Sequence, residues 1–210
     1  MSAKKNEKSF NNMVISPHVD DEVFGCGGIL DESFFVYFCG VERFRIISWH
    51  ERINEIKLVQ KFLGYQWELN LKSEVNRYVM QDFIPLLENQ INKIKPDTVY
   101  IPYPSYNQDH QAIYAAAQVA LRPHDTNHFV KNVYAYESMD FLWKNHPYIV
   151  NRFVDIGKEG IQRKLHAYSF HRSQIRSYRS PEHIKARACI RGAACNCDYA
   201  EAFVVEREVS

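Results

Sequence analysis

The chain has 210 residues, of which 46% are apolar and 24% charged, a balance that suits one soluble globular domain with a sizeable core. Twenty-six basic residues against 25 acidic ones leave a formal charge of +1, so the basic face of a nucleic-acid binder is not expected. No apolar run approaches the roughly 18 residues of a membrane span. The five cysteines, with no signal-peptide pattern ahead of them, are expected to be free thiols in a reducing cytoplasm. Cys195-Asn196-Cys197 lacks the two-residue spacing of a zinc knuckle or redox pair and is not read as a metal site.

Residues 1–11 are polar and expected to be a flexible tail. Asn12 to Ser16 reads as a short buried strand and Ser33 to Cys39 as a second. Between them, Pro17 to Gly28 reads as a loop with a helical turn, because the gap is too short for a full crossover helix. Ser48-Trp49-His50-Glu51 is a capping box, and apolar residues at helical spacing end at Gly64, so a helix is expected over Trp49–Leu63. Tyr65 to Leu71 can be a strand, Gln81 to Ile94 is an amphipathic helix stopped by Pro96, and Thr98 to Ile101 is a buried strand. A helix follows at His110–Leu121, then strands at Val130–Glu137 and Tyr148–Val154. Helices over 158–174 and 182–191 and a last strand at Phe203–Val205 complete the pattern. Strands alternating with helices argue for a single α/β domain over 1–210 with a mostly parallel sheet, whose site lies beyond the carboxyl ends of the strands.

Two strand-to-helix loops carry chemistry. The first, Ser16-Pro17-His18-Val19-Asp20-Asp21-Glu22, offers one imidazole and three carboxylates within five residues. The second, Pro102 to His110, ends in the adjacent pair Asp109-His110. Two imidazoles and one carboxylate around an open position make a common catalytic zinc arrangement. Adjacent carboxylates such as Asp20 and Asp21 diverge, so one can ligate while the other takes a proton from water at the metal. That chemistry suggests hydrolysis of an amide or ester. The alternatives are a polar turn capping a helix for His18, Asp20 and Asp21, and an N-cap with a first-turn residue for Asp109 and His110.

Pro17-His18-Val19-Asp20-Asp21-Glu22 with the later Asp109-His110 resembles the PIG-L, or LmbE-like, N-acetylglucosaminyl deacetylase family. Arg52-x-x-Glu55 before Leu63-Gly64, and Tyr199 to Phe203, are similar to later segments of that family. The resemblance implies a Rossmann-like three-layer sandwich that binds Zn2+, or another divalent transition metal, through His18, Asp21 and His110. It implies Asp20 as the general base and Asp109 as the partner that holds a ligand or catalytic imidazole. Arg52 and Asn107 would face the substrate, a small-molecule amino sugar of the N-acetylglucosamine type; apart from the resemblance, Tyr103 and Tyr106 flank the second loop and either stack a sugar ring, Tyr106 being the one taken as substrate-binding, or are structural. The chain departs from the family pattern at Val19, in place of a proline, and in a short segment after Gly28. It departs again at Asn107, where many members have the first histidine of His-x-Asp-His; an amide donates a hydrogen bond but cannot act as an acid. A cytoplasmic zinc-dependent N-deacetylase is therefore expected. The other readings are a metal-dependent amidase acting on another acylated amine, and a sugar-binding protein in which Asn107 has removed turnover.

Three further features are read as structural. Gly25-Cys26-Gly27-Gly28 is taken as a tight turn backing the metal loop rather than a phosphate cradle. His124 to His128 is taken as a surface loop, and His166, His171 and Ser173-Gln174 as a solvated helix face. Arg52 could equally be a solvated helix residue paired with Glu51 or Glu55. Glu22 has no assigned role.

Overall fold

A computed structural model describes residues 10–42, 48–138 and 148–210. Residues 1–9 of the expected tail lie outside them, but Phe10 and Asn11 are part of the fold. The Phe10 ring lies 5.6 Å from that of Phe35, and the Asn11 carbonyl accepts from the amides of Asp97 and Thr98.

Seven strands form one sheet in the order β3-β2-β1-β4-β5-β7-β6. They are β1 (Asn12–Ser16), β2 (Phe34–Phe38), β3 (Gln66–Leu69), β4 (Thr98–Pro102), β5 (Asn132–Tyr136), β6 (Arg152–Asp155) and β7 (Ala200–Arg207). The first five run parallel, and β7 lies antiparallel between β5 and β6. β1 and β2 are near-continuous apolar runs because helices cover both faces of the sheet, so neither side of these strands meets water.

Among the described residues the α-helices are α1 (Asp21–Cys26), α2 (Trp49–Leu63), α3 (Met80–Ile94), α4 (Gln108–Ala120), α5 (Gly157–Ser169) and α6 (Pro181–Ala194). On one face, Val14, Val36 and Phe38 pack against Ile56, Val59 and Leu63 of α2, Ala167 and Tyr168 of α5, and Ile184 of α6. On the other, Met13, Ile15, Val99 and Ile101 pack against Phe83, Leu87 and Ile91 of α3 and Ile113, Ala116 and Ala117 of α4. The alternation of Met13, Val14 and Ile15 between the two faces is the period of two of a pleated strand. The result is the expected three-layer, Rossmann-like α/β architecture.

Local signals place several boundaries. The Ser48 hydroxyl accepts from the Glu51 amide at 3.3 Å while the Glu51 carboxylate accepts from the Ser48 amide at 3.0 Å, and α2 ends at Gly64 with φ of 92°. α1 has six residues, as the short connection requires. Most strand ends and helix ends shift by one to three residues from the sequence reading, and three differences have a visible cause or consequence. α4 starts two residues earlier than His110, because Asn107 accepts from the amides of Asp109 and His110 at 2.9 and 3.4 Å and so caps the helix. α5 stops at Ser169, and a separate 3-10 turn holds Arg172–Gln174. β6 begins only at Arg152, so Tyr148 to Asn151 are not strand.

From β1 the chain winds outward through β2 to β3, then returns to place β4 on the other flank of β1. The strand order therefore reverses between β1 and β4, which opens a crevice at their carboxyl ends. The two motif-bearing loops leave these two ends. Among the described residues, no helix is long and apolar enough to cross a membrane.

Candidate metal centre

The loop after β1 is tied to itself. The Ser16 hydroxyl donates to the His18 carbonyl at 2.7 Å, and the His18 amide donates to Asp21 Oδ2 at 3.0 Å. Asp20, at the N-cap of α1, has a φ of 137°, a sparsely populated region for a residue with a side chain. Such strain, of the order of 1–3 kcal/mol, persists only where surrounding contacts hold it. Here Glu22 Oε2 accepts from the Asp20 amide at 3.0 Å, and Glu22 Oε1 lies 3.2 Å from His171 Nε2 and accepts from Tyr65 at 3.3 Å. Glu22, without a role on sequence grounds, is thus the buried hub that holds the loop.

His18, Asp21 and His110 converge. Nδ1 of His18 is 3.3 Å from Asp21 Oδ2, Nε2 of His110 is 3.1 Å from the same oxygen, and the two nitrogens are 3.2 Å apart. For a tetrahedral ion with bonds of about 2.0–2.1 Å, neighbouring donors sit about 3.3 Å apart, so this donor set fits a divalent metal at its spacing as well as its chemistry. Among the described residues these three form a cluster able to hold a metal ion.

Asp109 stands behind the cluster. Its Oδ2 is 3.0 Å from His18 Nε2 and accepts from the Asn76 amide at 2.6 Å, while Oδ1 accepts from the Tyr78 amide at 3.3 Å. The Tyr78 hydroxyl donates to the Pro17 carbonyl at 2.9 Å, so the segment after β3 clamps both loops. With Nε2 of His18 directed at Asp109, Nδ1 is the nitrogen presented to the cluster. The reading of Asp109 as N-cap is corrected: that position belongs to Asn107, and Asp109 lies in the first turn of α4.

The charges are strongly perturbed. Burial works against charging His18, but Asp109 and Asp21 outweigh it and push the imidazole up to about 10. Burial likewise opposes ionisation of Asp21, yet His110 and His18 hold it well below the usual carboxylate range. Burial and then the Asp21 carboxylate push Asp20 up to about 6, against Arg179, Arg52 and His171, which pull it down. One carboxylate is thus committed to the histidines while its neighbour stays near neutrality.

A cleft of about 280 Å³ opens over the cluster, lined by His18, Asp20, Asp21 and His110 together with Arg52, Asn76, Tyr106, Asn107, Gln174, Tyr178 and Arg179. Arg52 is at its wall, but buried rather than solvated. Its Nη1 donates to the Ser173 hydroxyl at 2.8 Å, to Glu55 at 3.3 Å and to the Val19 carbonyl at 3.4 Å. Tyr106 is 53% exposed at the rim, and Asn107 uses its amide oxygen on the α4 cap. Val19 packs into the core and also lines the cleft, while the His124 to His128 segment is outside the cleft.

His171, Ser173 and Gln174 are buried, which corrects their reading as a solvated face. The chain leaves the helix at Ser169 and turns inward, so His171 meets Glu22 and Ser173 donates to Glu55 at 2.8 Å. Arg179 was missed on sequence grounds. Its Nη1 is 3.4 Å from Asp20 Oδ2 and its Nη2 donates to Gln174 at 3.1 Å. It lies in no motif, and no local pattern marks it. The glycine segment is half helix and half turn: Gly25 and Cys26 lie within α1, Gly27 and Gly28 form the turn after it, and the Gly28 amide donates to Glu201 at 2.8 Å.

No protein-family model and no curated protein matches the chain. Solved structures do. A conserved protein from Thermus thermophilus is 24% identical with a TM-score of 0.78, covering 96% of each chain. The 4-carboxy-2-hydroxymuconate hydratase of Pseudomonas putida is 18% identical with a TM-score of 0.75, covering 96% of this chain and 98% of its own. An N,N'-diacetylchitobiose deacetylase from Pyrococcus horikoshii is 21% identical with a TM-score of 0.70, covering 92% of this chain and 82% of its own. The chain shares its fold with a deacetylase and with a hydratase.

Proposed function

We propose that this chain is a cytoplasmic, zinc-dependent hydrolase of the PIG-L type that removes the N-acetyl group of an N-acetylglucosamine-type amino sugar or conjugate. The observation that carries this reading is the tetrahedral spacing of His18, Asp21 and His110 beside a separate carboxylate, Asp20. The fold shared with a chitobiose deacetylase supports it. Zinc, held by those three residues, supplies Lewis-acid chemistry that makes water more acidic and polarises an amide carbonyl.

The side chains do the rest. Oδ2 of Asp20 is engaged by Arg179, so Oδ1 accepts the proton of the attacking water. The protonated Asp20 then returns that proton to the amide nitrogen as the carbon–nitrogen bond breaks, releasing acetate and a free amine. Asn107 offers its NH2 to the substrate but supplies no proton, so the proton reaches the leaving nitrogen through Asp20. Tyr106 at the rim provides a face for a sugar ring. Acetate release from a panel of N-acetylglucosamine derivatives, measured with the zinc-reconstituted chain, tests the reading. Acetate from at least one member is expected. Stoichiometric zinc with no acetate from any of them would favour a binding protein disabled at Asn107.

A second reading has a specific observation behind it. The hydratase neighbour shares the fold, and Arg52 and Arg179 place two guanidinium groups at the cleft. The same water chemistry, aimed at the carbon–carbon double bond of a carboxylated substrate, would give hydration. Loss of the absorbance of an unsaturated dicarboxylic acid, with no acetate released from amino sugars, would select it.

A further inference from the structure

The cysteines fall into three environments. Cys26 and Cys39 are fully buried, and Cys189 is exposed on α6. Cys195 and Cys197 form the turn between α6 and β7, on elements that do not line the metal cleft. Their sulfurs are 3.4 Å apart.

That approach is built by the backbone. Cys195 is the C-cap residue of α6, and its amide and that of Cys197 both donate to the Gly192 carbonyl at 3.0 Å. Asn196 between them has a φ of 60°, the left-handed conformation that asparagine tolerates better than most residues. The reversal curls the chain so that two side chains that would lie further apart in an extended strand converge. A side chain at Gly192 would meet the Cys197 carbonyl at 2.6 Å, so the glycine lets the turn lie flat on the helix. Cys195 is exposed and Cys197 half-buried, with Asp155 against its thiol.

We propose that Cys195 and Cys197 are a thiol–disulfide exchange site that closes into a cyclic disulfide on meeting a low-molecular-weight disulfide. The Cys195 thiolate attacks one sulfur of the small disulfide, forming a mixed disulfide and expelling one small thiolate. The Cys197 thiolate then attacks Sγ of Cys195, forming the intrachain bond and expelling the second small thiolate. The two protein thiols are oxidised by two electrons, the small disulfide is reduced to two thiols, and the protons of the protein thiols pass to the leaving thiolates. Cys195 goes first because it is the more accessible. Burial, the Cys195 thiol and the Asp155 carboxylate also push the Cys197 thiol up to about 11, which makes it the poorer first nucleophile. The ring spans a single intervening residue, so strain is expected to make this disulfide easier to reduce than a structural one.

The test is an incubation of the full, zinc-loaded chain in glutathione buffers of increasing disulfide content. An acid quench, intact mass and peptide mapping follow. The wild-type chain is expected to lose two hydrogens at the Cys195–Cys197 peptide without a lasting glutathione adduct there, and excess reduced glutathione should restore both thiols. Cys197→Ser should stop at a glutathione adduct on Cys195. Cys189→Ser should close the ring unchanged. A lasting adduct on Cys195 of the wild-type chain, two thiols that remain reduced where Cys189 is already modified, or a disulfide that includes Cys189 would each overturn the proposal. Mapping of the wild-type chain decides the matter even if a variant misfolds.

Discussion

Asp109 Oδ2 lies 3.0 Å from Nε2 of His18, and through that contact a residue outside the donor cluster decides which imidazole nitrogen faces it. Burial opposes charge on Asp109, but His18 and then the backbone amides of Asn76 and Tyr78 outweigh it and hold the carboxylate below its ordinary range. Replacing Asp109 by asparagine keeps the shape but removes the charge and the strong acceptor. Zinc affinity should fall about 10–100-fold, as is typical when such an outer partner is lost. Chelator competition on the metal-free chain measures it, and an unchanged affinity would show that His18 needs no orienting group.

Asp20 carries the proton in the proposed reaction without holding the metal. Asp20→Asn should retain stoichiometric zinc while hydrolysis falls by about 10²–10⁴-fold, the usual contribution of a positioned base. Metal content and acetate release on the same preparation separate the two roles. Full turnover by this variant would remove Asp20 from the mechanism.

Arg179 touches Asp20 but not the donor cluster. Arg179→Met should leave metal content unchanged and lower kcat/KM by about 10–100-fold, the equivalent of a charged hydrogen bond of about 1.5–3 kcal/mol. Partial recovery in Arg179→Lys would identify the positive charge as the feature needed. A drop in zinc affinity instead would show that Arg179 supports the metal loop.

The buried His171–Glu22 pair predicts a pH-dependent stability. Burial opposes charge on His171, but Glu22, Asp20 and Glu55 outweigh it and raise the imidazole above its ordinary value of 6.5. A raised folded value means the contribution is complete below about 6.5 and disappears as pH rises through the folded value. His171→Gln should therefore cost about 3–5 kcal/mol at slightly acid pH, the penalty for breaking a buried pair. The gap to wild type should narrow at alkaline pH. Urea unfolding of both chains across that range checks the sign, and a gap that widens with pH would mean His171 is buried neutral.

Features whose causes are local could be read before any tertiary contact was known. The capping box at Ser48–Glu51 and the left-handed stop at Gly64 delimit α2 as read, because the groups that satisfy a helix end lie within a few residues of it. The buried runs at Met13–Ile15 and Val99–Ile101 mark the two central strands, and with them the two loops that hold His18, Asp21 and His110. The candidate donors were legible because the capacity to ligate a metal is a property of residue type. How the candidate donors are held together depends on contacts between distant parts of the chain. His18 meets Asp109 across 91 residues, Glu22 meets His171 across 149, and Asp20 meets Arg179 across 159. No periodicity or spacing encodes such contacts; they arise when the sheet brings its loops to one edge and the chain after α5 folds back over them. The same packing buries His171, Ser173 and Gln174 of an apparently solvated stretch and puts Gln174 at the cleft, because a carboxylate in the core, Glu22, needs a partner and the returning chain supplies one.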